Sequence, residues 1–174
     1  YLQQSAAKWA LDTEDLSDLR VTDHYRSPNG IEHIYFQQYY GGLPIYQAIV
    51  GVSIGSDGQL YSPSTGRFHA RVRSKIDAPR ARWSASQALA SVLPKDSPLP
   101  PLLEQRDPHR LRYAAGAVAA EDIPVRLEYF ADRDGQLHLS WAIQLAAIDG
   151  QAWWSLHVDA RDGQLLQRSN LTLS

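Results

Sequence analysis

Histidines at positions 24, 33, 69, 109, 138 and 157 are the side chains of this sequence best suited to metal binding or proton transfer near neutral pH. Their spacing contains no H-x-x-x-H or H-x-H pair and no H-E-x-x-H zinc helix. His138 and His157 fall on segments that read as strands and could meet as metal ligands. Both lie on the polar faces of those strands, so exposed or hydrogen-bonded imidazoles are the favoured reading. No G-x-S-x-G nucleophile elbow and no Gly-rich phosphate loop is present. The acidic pairs Glu14-Asp15 and Glu121-Asp122 are adjacent in sequence, which turns them to opposite faces of a strand and makes them poor acid/base partners. Asp132-Arg133-Asp134-Gly135 has the start of a calcium loop but not its later ligands, so a hairpin turn is expected. The residues thus offer no catalytic group, no metal site and no cofactor site, and an enzyme is not expected.

The elements that position these residues are read from periodicity. Leu2, Ala6 and Trp9 fall on one helical face, which predicts a helix over Tyr1 to Leu11. Residues 19–26, Ile31 to Tyr40 and Leu43 to Ile54 read as strands, separated by turns at Asn29-Gly30 and Gly41-Gly42. On the third of these, Tyr46, Ala48, Val50, Val52 and Ile54 are expected on one face. Another strand starts after Asp57-Gly58. Residues 63–82 are polar and basic and read as a boundary segment, with the arginines from Arg67 to Arg82 as a solvated linker or a docking patch. The pattern then restarts. Ser84-Ala85-Ser86-Gln87 is a capping box for a helix running to about Leu93, with Trp83 set to staple it. Lys95 to Pro108, with its prolines, reads as a loop. Alternation then predicts strands around Val125-Leu127-Tyr129, Leu139-Trp141-Ile143 and Trp154-Leu156-Val158, and a last one after Asp162-Gly163. The expected fold is α+β, with two similar units, each a helix packed on an antiparallel sheet.

Composition narrows the partners. The chain has 174 residues, 44% of them hydrophobic and 21% charged, with a net charge of -2. That is a globular composition without the basic field that nucleic acid or an anionic membrane requires. The aromatic run Tyr35 to Tyr40 therefore reads as strand packing rather than base stacking. No apolar run approaches a membrane span. Cysteine is absent, which excludes disulfides and thiol ligands. Methionine is absent too, so residue 1 is not a translation start, and a processed fragment with any signal peptide already removed is expected. Trp153 and Trp154 must face opposite sides of their strand. One is expected in the core and the other exposed or covered by a partner, which makes Trp153 and His157 candidate interface residues. Asn170-Leu171-Thr172 matches a glycosylation triplet of a kind common by chance.

The stretch His33-Ile34-Tyr35-Phe36-Gln37-Gln38-Tyr39-Tyr40-Gly41-Gly42-Leu43-Pro44-Ile45-Tyr46 resembles the fungalysin/thermolysin propeptide domain. Leu16 to Val21, Asn29-Gly30, Val52-Ser53-Ile54 and Asp57-Gly58 follow the same pattern in order. Ser84 to Leu93, Trp141-Ala142-Ile143 and Trp154 to Ala160 resemble a PepSY domain more loosely. The resemblance implies a propeptide-like domain over residues 1–72 and a PepSY-like domain over residues 80–174, both cystatin-like units in which a helix is wrapped by an antiparallel sheet. Together they are similar to the prodomain of fungalysin-type metallopeptidases. It further implies a secreted, non-catalytic chaperone and inhibitor whose partner is a zinc metallopeptidase catalytic domain of the same precursor, whose cleft it covers until cleavage. A free-standing inhibitor or binding module acting in trans is the alternative. His33, Gln38, Gly42, Pro44 and Tyr46 are the motif residues, expected to serve the fold. Leu171, Thr172, Leu173 and Ser174 alternate apolar and polar residues and could add as a strand to a cleft edge, or form a linker.

Overall fold

A computed structural model of the chain describes residues 15–69 and 80–173. These residues form ten strands, one α-helix and a short 3-10 turn, and fall into two compact units. The first holds the described residues up to 69 together with 133–137, and the second holds the rest. The fold is therefore mostly β. The expectation of two cystatin-like helix-on-sheet units is overturned, because the described residues contain a single eight-residue helix. The helix expected over Tyr1 to Leu11 lies outside the described residues. Among the described residues no helix is long and apolar enough to cross a membrane.

The first unit is an antiparallel meander of β1 (Leu19–Arg26), β2 (Glu32–Tyr40), β3 (Leu43–Ile54) and β4 (Leu60–Gly66). Gly41 and Gly42 both have positive φ, 54° and 81°, which the tight hairpin between β2 and β3 demands and which costs glycine little. Val50, Val52 and Phe68 form the core, with Leu16, Leu19, Phe36 and Ile54 packed around them. Phe68 corrects the reading of residues 63–82 as a solvated linker: the chain stays in the sheet to Gly66 and then buries an aromatic ring. The uniform alternation expected along β3 also fails. Gln47 adopts φ 57°, and the ladder to β2 slips between Gln37 and Tyr39. Leu43 and Ile45 are buried before the slip, Ala48, Val50 and Val52 after it, and Tyr46 is left half-buried. An irregularity in one strand shifts which residues point inward beyond it.

The second unit begins with α1 (Ala85–Val92) and continues through β5 (Leu102–Asp107), β6 (Arg110–Tyr113), β7 (Ile123–Ala131), β8 (Leu137–Ala146), β9 (Trp153–Asp159) and β10 (Leu165–Asn170), each strand beside the next. The predicted capping box is present. The Gln87 N–H donates to Ser84 Oγ at 3.2 Å, and the Ser84 N–H donates to Gln87 Oε1 at 2.9 Å. The helix buries Ala85, Ala88 and Leu89 and contacts β7. Ile123, Val125, Leu127, Tyr129, Trp141, Ile143, Leu156 and Val158 complete the core at the alternating positions read from sequence. β5 replaces part of the expected loop. Its residues lie between Pro101 and Pro108, and nearly all are exposed, so prolines bracket an edge strand instead of preventing one.

Trp83 fastens the entry to α1. Its N–H donates to the Ala160 carbonyl at 2.8 Å, its carbonyl accepts the Trp141 Nε1–H at 2.8 Å, and its ring covers Gly163. Gly163 has φ 79°, and a Cβ there would run into the indole. Gly163→Ala is expected to destabilise the second unit by about 2–4 kcal/mol, combining backbone strain with overpacking. Urea unfolding followed by tryptophan fluorescence measures this. A change well under 1 kcal/mol would mean the indole swings away freely.

Candidate functional site: a motif hairpin and a buried charge network

β2 and β3 place the motif residues. His33 stands between Tyr25 on β1 and Ser53 on β3. Its Nδ1 lies 3.0 Å from Ser53 Oγ and its Nε2 3.1 Å from Ser27 Oγ. Its ring stacks on Tyr25 at 4.8 Å. Both ring nitrogens are thus engaged by hydroxyl groups of the same sheet, as a fold-fixing residue requires. Gln38 is fully buried. Its Nε2 donates to the carbonyls of Asp15 at 3.1 Å and His69 at 2.7 Å, and its Oε1 accepts the His69 N–H at 2.8 Å. One carboxamide thereby ties together the two ends of the described part of this unit. The His69 imidazole is held below its usual pKa by burial and then by the nearby Arg67. Gly42 makes the hairpin turn, and Pro44 pairs with Tyr39 beside the slip.

Gln37 was not singled out from sequence, yet it does comparable work. Its Nε2 lies 2.7 Å from the Ile45 carbonyl, 3.1 Å from that of Ala48 and 3.0 Å from that of Gln38. The slip in β3 removes these carbonyls from the regular ladder, and a buried carbonyl needs a donor. The doubled glutamine beside a Gly-Gly turn is the signal that could have revealed it.

In the second unit the residues expected on polar strand faces are partly interior. Glu128 is 2% exposed and His157 has no accessible surface, so His157 is not the exposed interface residue that alternation suggested. His157 Nε2 lies 2.9 Å from Glu128 Oε1, and Arg126 Nε lies 2.8 Å from Glu128 Oε2. The Phe130 ring packs 4.9 Å from the imidazole. His138 takes different partners: Nε2 is 2.9 Å from Asp132 Oδ2, and Nδ1 is 3.5 Å from the buried Asp159, which also meets Arg161 at 3.5 Å. The two histidines therefore face separate carboxylates and do not converge. Among the described residues no group of three or more His, Cys, Asp or Glu could hold a metal ion. Asp134 lies in the turn between β7 and β8, with Gly135 at φ 79°, as expected for a hairpin.

Trp153 opens β9 and is exposed, while Trp154 is half-buried beneath the Arg168 guanidinium, 3.9 Å from its ring centre. Leu171 to Leu173 form a 3-10 turn, where the sequence left a cleft-edge strand and a linker as the two readings. Asn170 Oδ1 accepts the Thr172 N–H at 2.9 Å, and Thr172 Oγ1 accepts the Trp153 N–H at 2.9 Å. A side chain that bonds the backbone two residues ahead favours a turn over a strand. Trp153 and the exposed Leu171 are thereby brought to one end of the sheet. Ser174 lies outside the described residues.

The Fungalysin/Thermolysin Propeptide Motif matches residues 17–64, the segment that carries β1 to β3 and the start of β4. Sequence similarity to curated proteins extends further. An extracellular metalloproteinase of Aspergillus fumigatus is 28% identical over 152 residues, covering 83% of this chain and 23% of that protein. One of Leptosphaeria maculans is 30% identical over 151 residues, covering 82% and 23%. Extracellular metalloproteinase 3 of Trichophyton rubrum is 28% identical over 169 residues, covering 92% and 26%. The chain spans about a quarter of the length of the curated relatives it matches. Among solved structures, the C-terminal domain of Bacillus megaterium YpeB is similar at a TM-score of 0.42 and 13% identity, covering 97% of this chain and 63% of that one. A likeness that slight decides neither fold nor function. Residues 17–64 carry the Fungalysin/Thermolysin Propeptide Motif, in a chain homologous over most of its length to fungal extracellular metalloproteinases, and this supports a propeptide role.

Proposed function

We propose that this chain is the non-catalytic propeptide region of an exported zinc metallopeptidase precursor. It comprises a fungalysin/thermolysin propeptide-like domain over residues 1–72 and a PepSY-like domain over residues 80–174. In this role it assists folding of the catalytic domain of the same precursor, covers its active-site cleft and is then cleaved away. The observation that carries the reading is the reach of the similarity: it extends beyond the motif to more than four-fifths of the chain, yet occupies only about a quarter of each metalloproteinase. The motif residues are consistent with it, since His33 and Gln38 spend their polar atoms on their own unit. A propeptide needs a rigid complementary surface, not a reacting group.

Trp153, Leu171 and Thr172 are the side chains we assign to contact with the catalytic domain, because an exposed indole beside an exposed leucine is a typical anchor. The test adds purified chain in trans to the catalytic domain of a related metalloproteinase and follows peptide hydrolysis. Inhibition is expected, and Trp153→Ala is expected to weaken it about tenfold while leaving the unfolding midpoint in place. No inhibition at high micromolar chain would remove the inhibitor role. Equal refolding yields of the catalytic domain with and without the chain would remove the chaperone role.

A further inference from the structure

One face of β5, β6 and β7 forms a groove of about 330 Å³ walled by Arg106, Arg110, Arg112 and Arg126, with Glu104 as the carboxylate in its lining and Leu111 and Pro124 beside them. Strand register builds this concentration. Arg110 on β6 lies directly opposite Arg126 on β7, and Arg112 lies opposite Pro124. Directly opposed residues of antiparallel strands share a face, and like charges in that position are unfavourable unless something anionic lies between them.

The protein's own carboxylates leave that need partly unmet. Among the described residues Arg110 forms an ion pair with Asp107 alone, at 3.8 Å, too long for a hydrogen bond. Glu104 is shared by Arg106 at 2.9 Å and Arg112 at 3.2 Å. The hydrogen bond and charge of Arg106 hold its carboxyl below the usual carboxylate range, with Arg112 adding to the effect. Asp122 reaches Arg112 at 3.4 Å. Arg126 is different in kind. Its Nε is fixed at 2.8 Å by Glu128, a buried carboxylate that is itself held by the buried His157. Anchoring through Nε leaves the terminal nitrogens for another partner and sets the orientation of the fork in advance. Preorganised guanidinium groups bind carboxylates at a lower entropic cost than free ones.

The shape selects among anions. Among the described residues β5 pairs only with β6, so it is a sheet edge, with Leu102 and Leu103 exposed along it. An extended polypeptide can instead cross the open face of β5, β6 and β7, its alternate side chains entering the groove between the arginines of β6 and β7, which lie too far from the edge to be reached by a strand added there. We propose that this groove binds the carboxylate side chains of an acidic, extended polypeptide segment, with Arg110 and Arg126 as the central pair. The assignment stands apart from the propeptide reading, because it defines the partner by charge and form alone.

The test uses the whole chain and a fluorescein-labelled peptide that alternates glutamate and leucine, read by fluorescence anisotropy. Binding is expected to weaken as salt rises and to fall at least tenfold in Arg110→Glu, with a smaller fall in Arg110→Ala. Arg110 is well exposed and makes no short ion pair, so both variants should keep the wild-type unfolding midpoint. Unchanged binding in Arg110→Glu would overturn the proposal, as would equal binding of a peptide with lysine at every glutamate position. Free glutamate or citrate competing as strongly as the peptide would overturn the polypeptide assignment. Tighter binding of a single-stranded oligonucleotide would do the same.

Discussion

Glu128→Ala is expected to cost the second unit about 2–4 kcal/mol, because it takes a hydrogen-bond partner from the buried His157 and an ion-pair partner from the half-exposed Arg126. The carboxylate lies between Arg126 and the fully buried His157, at 2.8 Å and 2.9 Å. Removing it strips the imidazole of that contact in a region water does not reach. It also leaves the Arg126 guanidinium without its anchor. The interior's low dielectric strengthens such contacts and raises the cost of losing them. Glu128→Gln should cost less, because the amide keeps one oxygen for His157 and gives up only the acceptor and the charge facing the half-exposed Arg126. Denaturant unfolding of both variants measures the difference. A loss below about 1 kcal/mol for the alanine variant would mean that water replaces the carboxylate at little cost.

Gln38→Ala is expected to destabilise the first unit by about 2–4 kcal/mol. The substitution leaves the carbonyls of Asp15 and His69 and the N–H of His69 without the side chain they bond. Each fully buried group that loses its partner costs about 1–3 kcal/mol, and the partial exposure of His69, which supplies two of the three groups, holds the sum at the low end. Gln38→Glu is the sharper comparison. It keeps the shape and the acceptor for the His69 N–H, but turns a carboxylate oxygen toward two carbonyls. It should be at least as destabilising as alanine at neutral pH and recover in part as acid restores one O–H donor. Amide hydrogen exchange at His69 gives a local readout: protection should drop in the alanine variant, which lacks an acceptor for that N–H. Retained protection would show that Gln38 is not what holds the segment after β4.

These two results bear on the propeptide reading through rigidity. A surface that must match a catalytic domain depends on the elements behind it. Gln38 fixes the segments at Asp15 and His69 around the motif hairpin, and Glu128 fixes both the interior of the second sheet and Arg126 on the groove wall. The Glu128 variants therefore provide a second probe of the groove, since loss of the anchor should loosen the central arginine pair.

By itself the sequence determined most of the local structure. Asn29-Gly30, Gly41-Gly42, Asp57-Gly58 and Asp162-Gly163 mark turns because their backbone angles are demanded within a few residues. Ser84 and Gln87 mark the start of α1 because a capping box satisfies the first N–H groups locally. The propeptide motif was legible for the same reason, since its turn and strand residues are contiguous. What remained hidden depended on distant partners. A polar residue on an alternating strand looks solvated, and only the placement of β7 and β9 on either side of β8 brought Glu128 and His157 together, where both are buried. The β3 slip was invisible because the residue that accommodates it, Gln47, is not a glycine, and its compensating donor, Gln37, lies on the neighbouring strand. β5 was masked by flanking prolines, whose effect depends on whether a strand lies at an edge. The opposed arginines of the groove required the register between β6 and β7. Turn and cap signals act through neighbours in the chain, whereas burial, register and charge pairing act through neighbours in space, and only the tertiary structure supplies those.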